Sequence, residues 1–241
     1  MDRRNFLKIL SATTVVAINP ALISQKLYAD DGSMYQTYEK VLLVGDDGKP
    51  ILASSLKKET NYIFMYPYKG TPVLLVDLGV PTHKNVKLHA EDGTEYLFKG
   101  GVGKKGSIVA VSAICQHQLT HPKPSDSFLN YLPRGAKTAA YPHGGVFVCS
   151  SHLSVFDPMD GGKNVAGPAA QGLADIVLDV DDKDQIWAVG VLGPDRFHDY
   201  FKAFKPEFKQ IYGNWRKAKK IVKIHAPVTL LSEYSKDIIE Y

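Results

Sequence analysis

Between residues 40 and 191 the apolar positions come in short runs separated by turn residues. "KVLLVG" (40–45), "TPVLLVD" (71–77), "EYLFKG" (95–100) and "SIVAVSA" (107–113) are four to seven residues long, rich in Val and Leu, and bounded by Gly, Asp or Pro. That length and composition predict strands rather than helices. "GVFVC" (145–149) continues the series, and "DIVLDV" and "QIWAVGV" flank Asp181–Asp184 as a closing hairpin. With 20 Gly and 14 Pro distributed among many short strands, the pattern predicts an all-β fold, an antiparallel sandwich or small barrel.

Two segments break the pattern. Residues 122–144, with "HPKPSDSFLNYLPRG" and "AAYPHGG", are too long for a plain hairpin and are expected to cover a site or form a docking surface. His121 and His143 flank this insert. The expectation for each is a surface histidine, and the sharper alternative makes one of them a supporting or proton-linked group. From Pro194 onward the chain is rich in aromatics and lysines, and Arg216, Lys217, Lys219, Lys220 and Lys223 form a basic cluster. The tail reads as an extension wrapping the domain with a solvated basic face; the alternative is a surface that docks an acidic partner or anionic lipid. Its last residues, "PVTLLSEYSKDIIEY", suit a final strand or short helix. The expected division is 1–30, 35–193 and 194–241.

The N-terminus is different again. Arg3 and Arg4 precede Phe6 and Leu7, and a mostly apolar run extends from Ile9 to Ile23 between Lys8 and Lys26. This resembles a twin-arginine export signal and implies the periplasmic side of a bacterial inner membrane. No A-x-A site precedes Ala29, which favours a retained anchor. Residues 9–25 as a helix would span about 25 Å, short of a hydrocarbon core of about 30 Å, which favours removal. The expectation leans toward the anchor.

Composition narrows the function. An apolar fraction of 44% over 241 residues allows a sizeable core, and a net charge of +4 is too small to point to nucleic acid. There are only two cysteines, and each has a histidine close by: Cys115 with His117, and Cys149 with His152. Exported cysteines usually pair as disulfides, but two cysteines each beside a histidine make four soft-to-borderline ligands for metal. Zinc accepts two Cys and two His, normally with like ligands paired in sequence. Here each loop supplies one of each kind. That suits a [2Fe–2S] cluster in which one iron takes two thiolates and the other two imidazoles.

On these residues the stretch Ser107–Val191 resembles the Rieske iron–sulfur proteins. The resemblance implies a cluster-binding part at about 107–170, with Cys115 and Cys149 on one iron and His117 and His152 on the other. Many members carry an extra cysteine in each loop, joined as a disulfide. Thr120 and Ser151 stand at those positions here. Ser154 matches a serine that in the family hydrogen-bonds a bridging sulfide. Phe156 stands where high-potential members have a tyrosine, so the potential is expected to be lower. "GPAA" (167–170) resembles the proline-containing loop that shields the cluster. "SHLSVFDPMDGGKNVAGPAAQGLADIVLDV" is also similar to the small Rieske subunit of arsenite oxidase, although "CQHQLTHP" lacks a glycine common in relatives and the 31-residue gap between His117 and Cys149 is long.

The resemblance implies one-electron transfer, with proton exchange at His117 and His152, in a subunit that is no catalyst by itself. A membrane-associated quinol–cytochrome c reductase of the cytochrome bc type is the leading expectation. It brings cytochrome b and a c-type cytochrome as partners, with membrane contact. The alternative is the Rieske subunit of a periplasmic molybdenum oxidase of the arsenite oxidase type, whose partner is a molybdopterin subunit. A structural zinc-binding module is a third reading. The remaining length leaves no room for the mononuclear iron domain of a Rieske oxygenase.

Overall fold

The structure is a computed structural model, and it describes residues 34–240. The export segment and the proposed anchor lie outside the described residues. Among those described, no helix is long and apolar enough to cross a membrane.

The strands in chain order are β1 (Tyr35–Val44), β2 (Tyr62–Met65), β3 (Pro72–Asp77), β4 (Val86–His89), β5 (Glu95–Phe98), β6 (Ile108–Ser112), β7 (Asp126–Ser127) and β8 (Leu129–Leu132). They continue with β9 (Val146–Cys149), β10 (Ser154–Asp157), β11 (Lys163–Ala166), β12 (Asp175–Val180), β13 (Ile186–Leu192), β14 (His225–Pro227), β15 (Thr229–Leu230) and β16 (Asp237–Ile238). Eight of them form one sheet in the order β14-β1-β13-β12-β6-β3-β2-β15. Its two edges are joined by a single residue, Val228, which carries the chain from β14 beside β1 to β15 beside β2. The sheet therefore closes almost into a barrel, and neither edge is left long and bare. A smaller antiparallel sheet, β11-β10-β9-β8, stands apart from it.

The unbroken apolar runs have a simple cause: their strands are buried on both faces. In β3, Val73 and Leu75 enter one core while Leu74 and Val76 enter another. In β6, Ile108 and Ala110 point to the first core, and Val109 and Val111 to the second. Period-2 alternation thus sorts residues between two apolar environments instead of between core and water. The second core continues into the small sheet through Leu129, Tyr131, Phe147 and Phe156, and it contains both cysteines.

The tail is part of the main fold. Helices α1 (Phe197–Ala203), α2 (Lys205–Tyr212) and α3 (Trp215–Ala218) bury Phe197, Tyr200, Phe201 and Phe208 in the first core. Burial of each such ring is worth roughly 1.5–3 kcal/mol, so the tail contributes heavily to stability. Pro206 opens α2 and Gly213, at φ 72°, ends it. The tail then supplies β14 and β15 to the barrel and β16, which pairs with β7 in the 122–144 insert. The insert is likewise structural: it gives β8 to the small sheet.

Candidate metal centre

Cys115 follows β6, three residues past its end, and Cys149 is the last residue of β9. The chain makes the same turn after each. Leu119 N–H donates to Cys115 O at 2.9 Å, and Leu153 N–H donates to Cys149 O at 2.9 Å. Residue i+5 closes each turn: Cys115 N–H donates to Thr120 O at 2.8 Å, and Ser154 pairs with Cys149 across the β9–β10 ladder. The fourth residue after each cysteine is a leucine in the left-handed region, with φ 61° for both Leu119 and Leu153. A left-handed non-glycine residue costs on the order of 1 kcal/mol and persists only where its surroundings fix it.

The turns aim N–H groups at sulfur. The N–H groups of His117 and Gln118 face Cys115, and those of Ser151 and His152 face Cys149. The two thiols are buried, unbridged and in hydrogen-bonding contact with each other. The hydrogen bond from Cys149 pulls the Cys115 thiol down to about 7, against the opposing effect of burial, with help from the two N–H groups and the Ser154 hydroxyl. The Cys149 thiol, donating in that bond and buried, is raised. The pocket thus favours negative charge on the Cys115 sulfur, the form that binds metal.

The imidazoles also meet. The rings of His117 and His152 are edge to face with centroids 4.8 Å apart. His117 Nδ1 is buried with no hydrogen-bond partner, as is Ser150 Oγ. Buried polar atoms are almost always paired, so an orphaned ring nitrogen beside two thiols calls for an explanation. His152 is exposed, with only Ser151 Oγ near its Nδ1 at 3.2 Å. The four side chains gather as thiol with thiol and imidazole with imidazole. Among the described residues, no three His, Cys, Asp or Glu side chains are grouped to hold one ion.

A third loop, "GPAAQ" (167–171), ties the two turns together. Gly167 has φ 80°, and a Cβ there would lie 2.2 Å from Leu153 O and 2.6 Å from Ser154 Cα. Only glycine lets the loop seat on the second turn. At its other end Gln171 Nε2 donates to Gln116 Oε1 at 2.8 Å, and Gln171 Oε1 accepts from Glu91 N–H at 2.9 Å. Gln116 sits between Cys115 and His117 and is buried. Arg196, from the start of the tail, donates to Gln116 O at 2.9 Å. The loop and the tail thus supply contacts around the turns, whose two cysteines are unbridged.

His121 is not at the surface. It is 4% exposed, packed edge-on against Tyr200 and Phe204, with Nδ1 3.0 Å from Leu119 O and Nε2 2.7 Å from Glu207 Oε1. The tail helices, which fold over the first turn, are what bury it. His143 is exposed, edge-on to the Tyr141 ring, with Nδ1 2.8 Å from Gly144 O.

Comparison with known proteins decides the family. Iodate reductase subunit IdrB of Denitromonas iodatirespirans is 31% identical over 193 residues, covering 80% of this chain and 82% of that protein. This chain belongs to the IdrB family of Rieske-type proteins. A second IdrB, from Pseudomonas sp. (strain SCT), is 31% identical over 140 residues, 58% of this chain and 57% of that protein. The soluble domain of the Rieske protein II (soxF) from Sulfolobus acidocaldarius matches 77% of this chain and 93% of its own at 23% identity and a TM-score of 0.46. No family model matches. As a member of the IdrB family the chain is a Rieske-type electron-transfer subunit.

The cysteines and nearby histidines were visible in the sequence. Gln116, Gln171, Arg196 and Glu207 were not, because nothing local distinguishes a buried glutamine or arginine from a solvated one. The one available signal was the parallel spacing "CQHQL" and "CSSHL", a leucine four residues after each cysteine.

Proposed function

We propose that Cys115 and Cys149 hold one iron, and His117 and His152 the other, of a [2Fe–2S] cluster. The observation that carries this is the sorting of the ligands into a thiol pair and an imidazole pair drawn from two matching turns. A single tetrahedral zinc would need all four to converge on one point, whereas a cluster with two different irons needs this division. The orphaned His117 Nδ1 and the N–H groups aimed at both sulfurs fit the group as well.

When bound, the cluster supplies reversible one-electron storage. The protein's residues set how it does so. The paired N–H groups and Ser154 stabilise negative charge at sulfur. Phe156, fully buried on β10, offers no donor, which keeps the potential below that of a tyrosine-bearing relative. Burial of both cysteines excludes water from the sulfur side. His152, exposed, can exchange a ring proton with solvent as the charge at the site changes.

We infer that the protein is the Rieske subunit of a periplasmic molybdenum oxidoreductase, related in kind to arsenite oxidase. It would pass electrons between a molybdopterin subunit and a c-type cytochrome or similar carrier. Membership in the IdrB family favours this over the cytochrome bc reading, and the unbridged cysteines and Phe156 agree. The paired Arg3 and Arg4 support export. A pull-down from native extracts tests the reading: a molybdopterin subunit is expected, and cytochrome b would overturn it. Fractionation with N-terminal sequencing tests location and retention of the first residues.

A further inference from the structure

Eight lysines and arginines lie between Lys202 and Lys223, against one acid, Glu207. All eight are exposed, and among the described residues none of them has an ion-pair partner. Glu207 is turned inward to His121. Three of the cations crowd one side chain: Lys205 Nζ lies 5.1 Å, the Arg216 guanidinium 5.3 Å and Lys219 Nζ 5.5 Å from the ring centroid of Trp215. The indole face attracts cations, so Trp215 gathers charges that would otherwise repel one another. No carboxylate neutralises the group.

The patch lies at the metal-site end of the barrel. Gly70 N–H donates to Ala218 O and Lys69 N–H to Lys220 O, both at 2.9 Å, which pins the basic segment to the β2–β3 turn. That turn leads into Pro72, whose carbonyl accepts from Ala113 two residues before Cys115. The same tail touches the first turn through Arg196 and through Glu207 and His121.

We propose that this patch is the docking surface for a soluble acidic electron-carrier protein, a proposal that rests on the electron-transfer reading above. Lysine is depleted from stable subunit interfaces, whereas exposed charge accelerates and orients brief encounters. A lysine-rich face therefore suits a transient redox partner and not the permanent catalytic subunit. A lipid surface fits less well, because the apolar faces of α1 to α3 are spent on the protein core, with Phe197, Tyr200, Phe201, Phe208 and Ala218 all buried. The large aliphatic side chain these helices leave exposed is Ile211, 46% exposed, too little apolar surface for an inserting face.

The test is calorimetric titration of the full chain, carrying its metal, with two c-type cytochromes, one acidic and one basic at pH 7. The measurement is repeated from about 10 to about 200 mM salt, a range that shortens the screening length severalfold. The acidic cytochrome is expected to bind at low salt and to lose at least tenfold in affinity at high salt, while the basic one does not bind. Lys205→Glu with Arg216→Glu should lower the affinity at least tenfold without changing the melting temperature. Lys57→Glu with Lys137→Glu, the same charge change elsewhere on the exposed surface, should lower it less than twofold. Equal losses in both double variants, or no binding of the acidic cytochrome, would overturn the proposal. So would binding to phosphatidylglycerol vesicles that the patch variant abolishes while cytochrome affinity is untouched. The electron paramagnetic resonance signal of the same samples reports on the cluster separately: its absence would remove the [2Fe–2S] reading, while the affinities decide the docking surface.

Discussion

Cys115 and Cys149 begin the same five-residue turn, yet the two turns are supported by different means. The second is the tip of a hairpin. β9 and β10 pair on either side of it, β8 flanks β9, and Ser150 N–H donates to Phe128 O at 2.6 Å. The first leaves β6 and has no returning strand. Its support comes from side chains far away in sequence: Gln171 on Gln116, Arg196 on Gln116 O, and Glu207 through His121. Backbone ladders make the second turn largely self-sufficient. The first depends on the 167–171 loop and on the tail, so those two segments, remote from the ligands, govern one half of the site.

The strongest way to break the comparison is Gly167→Ala. Its Cβ would meet the backbone at Leu153 and Ser154 at a φ that disfavours alanine, so even the self-sufficient turn must move. A loss of about 4 kcal/mol, the upper range for single substitutions, is expected in denaturant unfolding, with loss of bound iron. Gln116→Leu should act on the first turn alone. It strands the buried Gln171 amide, at a cost of about 2 kcal/mol. Hydrogen exchange should quicken at the Leu119 amide and stay unchanged at Leu153; equal changes at both would show that the turns are not independent.

The paired leucines sharpen the contrast. Leu119 is 8% exposed and Leu153 is 38% exposed, at the same φ. Glycine relieves the left-handed strain at both, but only at 119 does it also remove a buried side chain. Leu119→Gly should cost about 1–2 kcal/mol in thermal unfolding, and Leu153→Gly close to nothing. Arg196→Met removes the charge-assisted hydrogen bond to Gln116 O, worth about 1 kcal/mol, together with an exposed ion pair to Asp199 that adds little. It should also lower the midpoint potential, since a positive charge next to Gln116 O favours the reduced state; a potential that rises would reverse that assignment. Phe156→Tyr should leave stability almost unchanged and raise the potential by adding a donor on β10, and no shift in potential would remove the hydrogen-bond argument.

The strands were legible where both faces are buried, because 71–77 and 107–113 are continuous apolar runs bounded by turn residues. The tail was harder to read. Its aromatics and lysines alternate much as they would on a solvated extension, and β14 and β15 are too short to show a period. Only the tertiary fold reveals that Val228 joins the two sheet edges. At the site, two cysteines with two adjacent histidines are conspicuous because cysteine is rare in this chain. His121 looked like a surface residue because the burying groups, Tyr200, Phe204 and Glu207, lie some eighty residues away in sequence. The support of the first turn is a long-range property of polar side chains, and no local pattern encodes it.

The central claim is that two thiols and two imidazoles, drawn from matching turns, divide between two irons. Metal analysis with electron paramagnetic resonance of the reduced protein addresses it most directly. The account predicts two irons per chain and a reduced [2Fe–2S] signal that disappears in Cys115→Ser and in Cys149→Ser. A silent spectrum with one zinc per chain would contradict it.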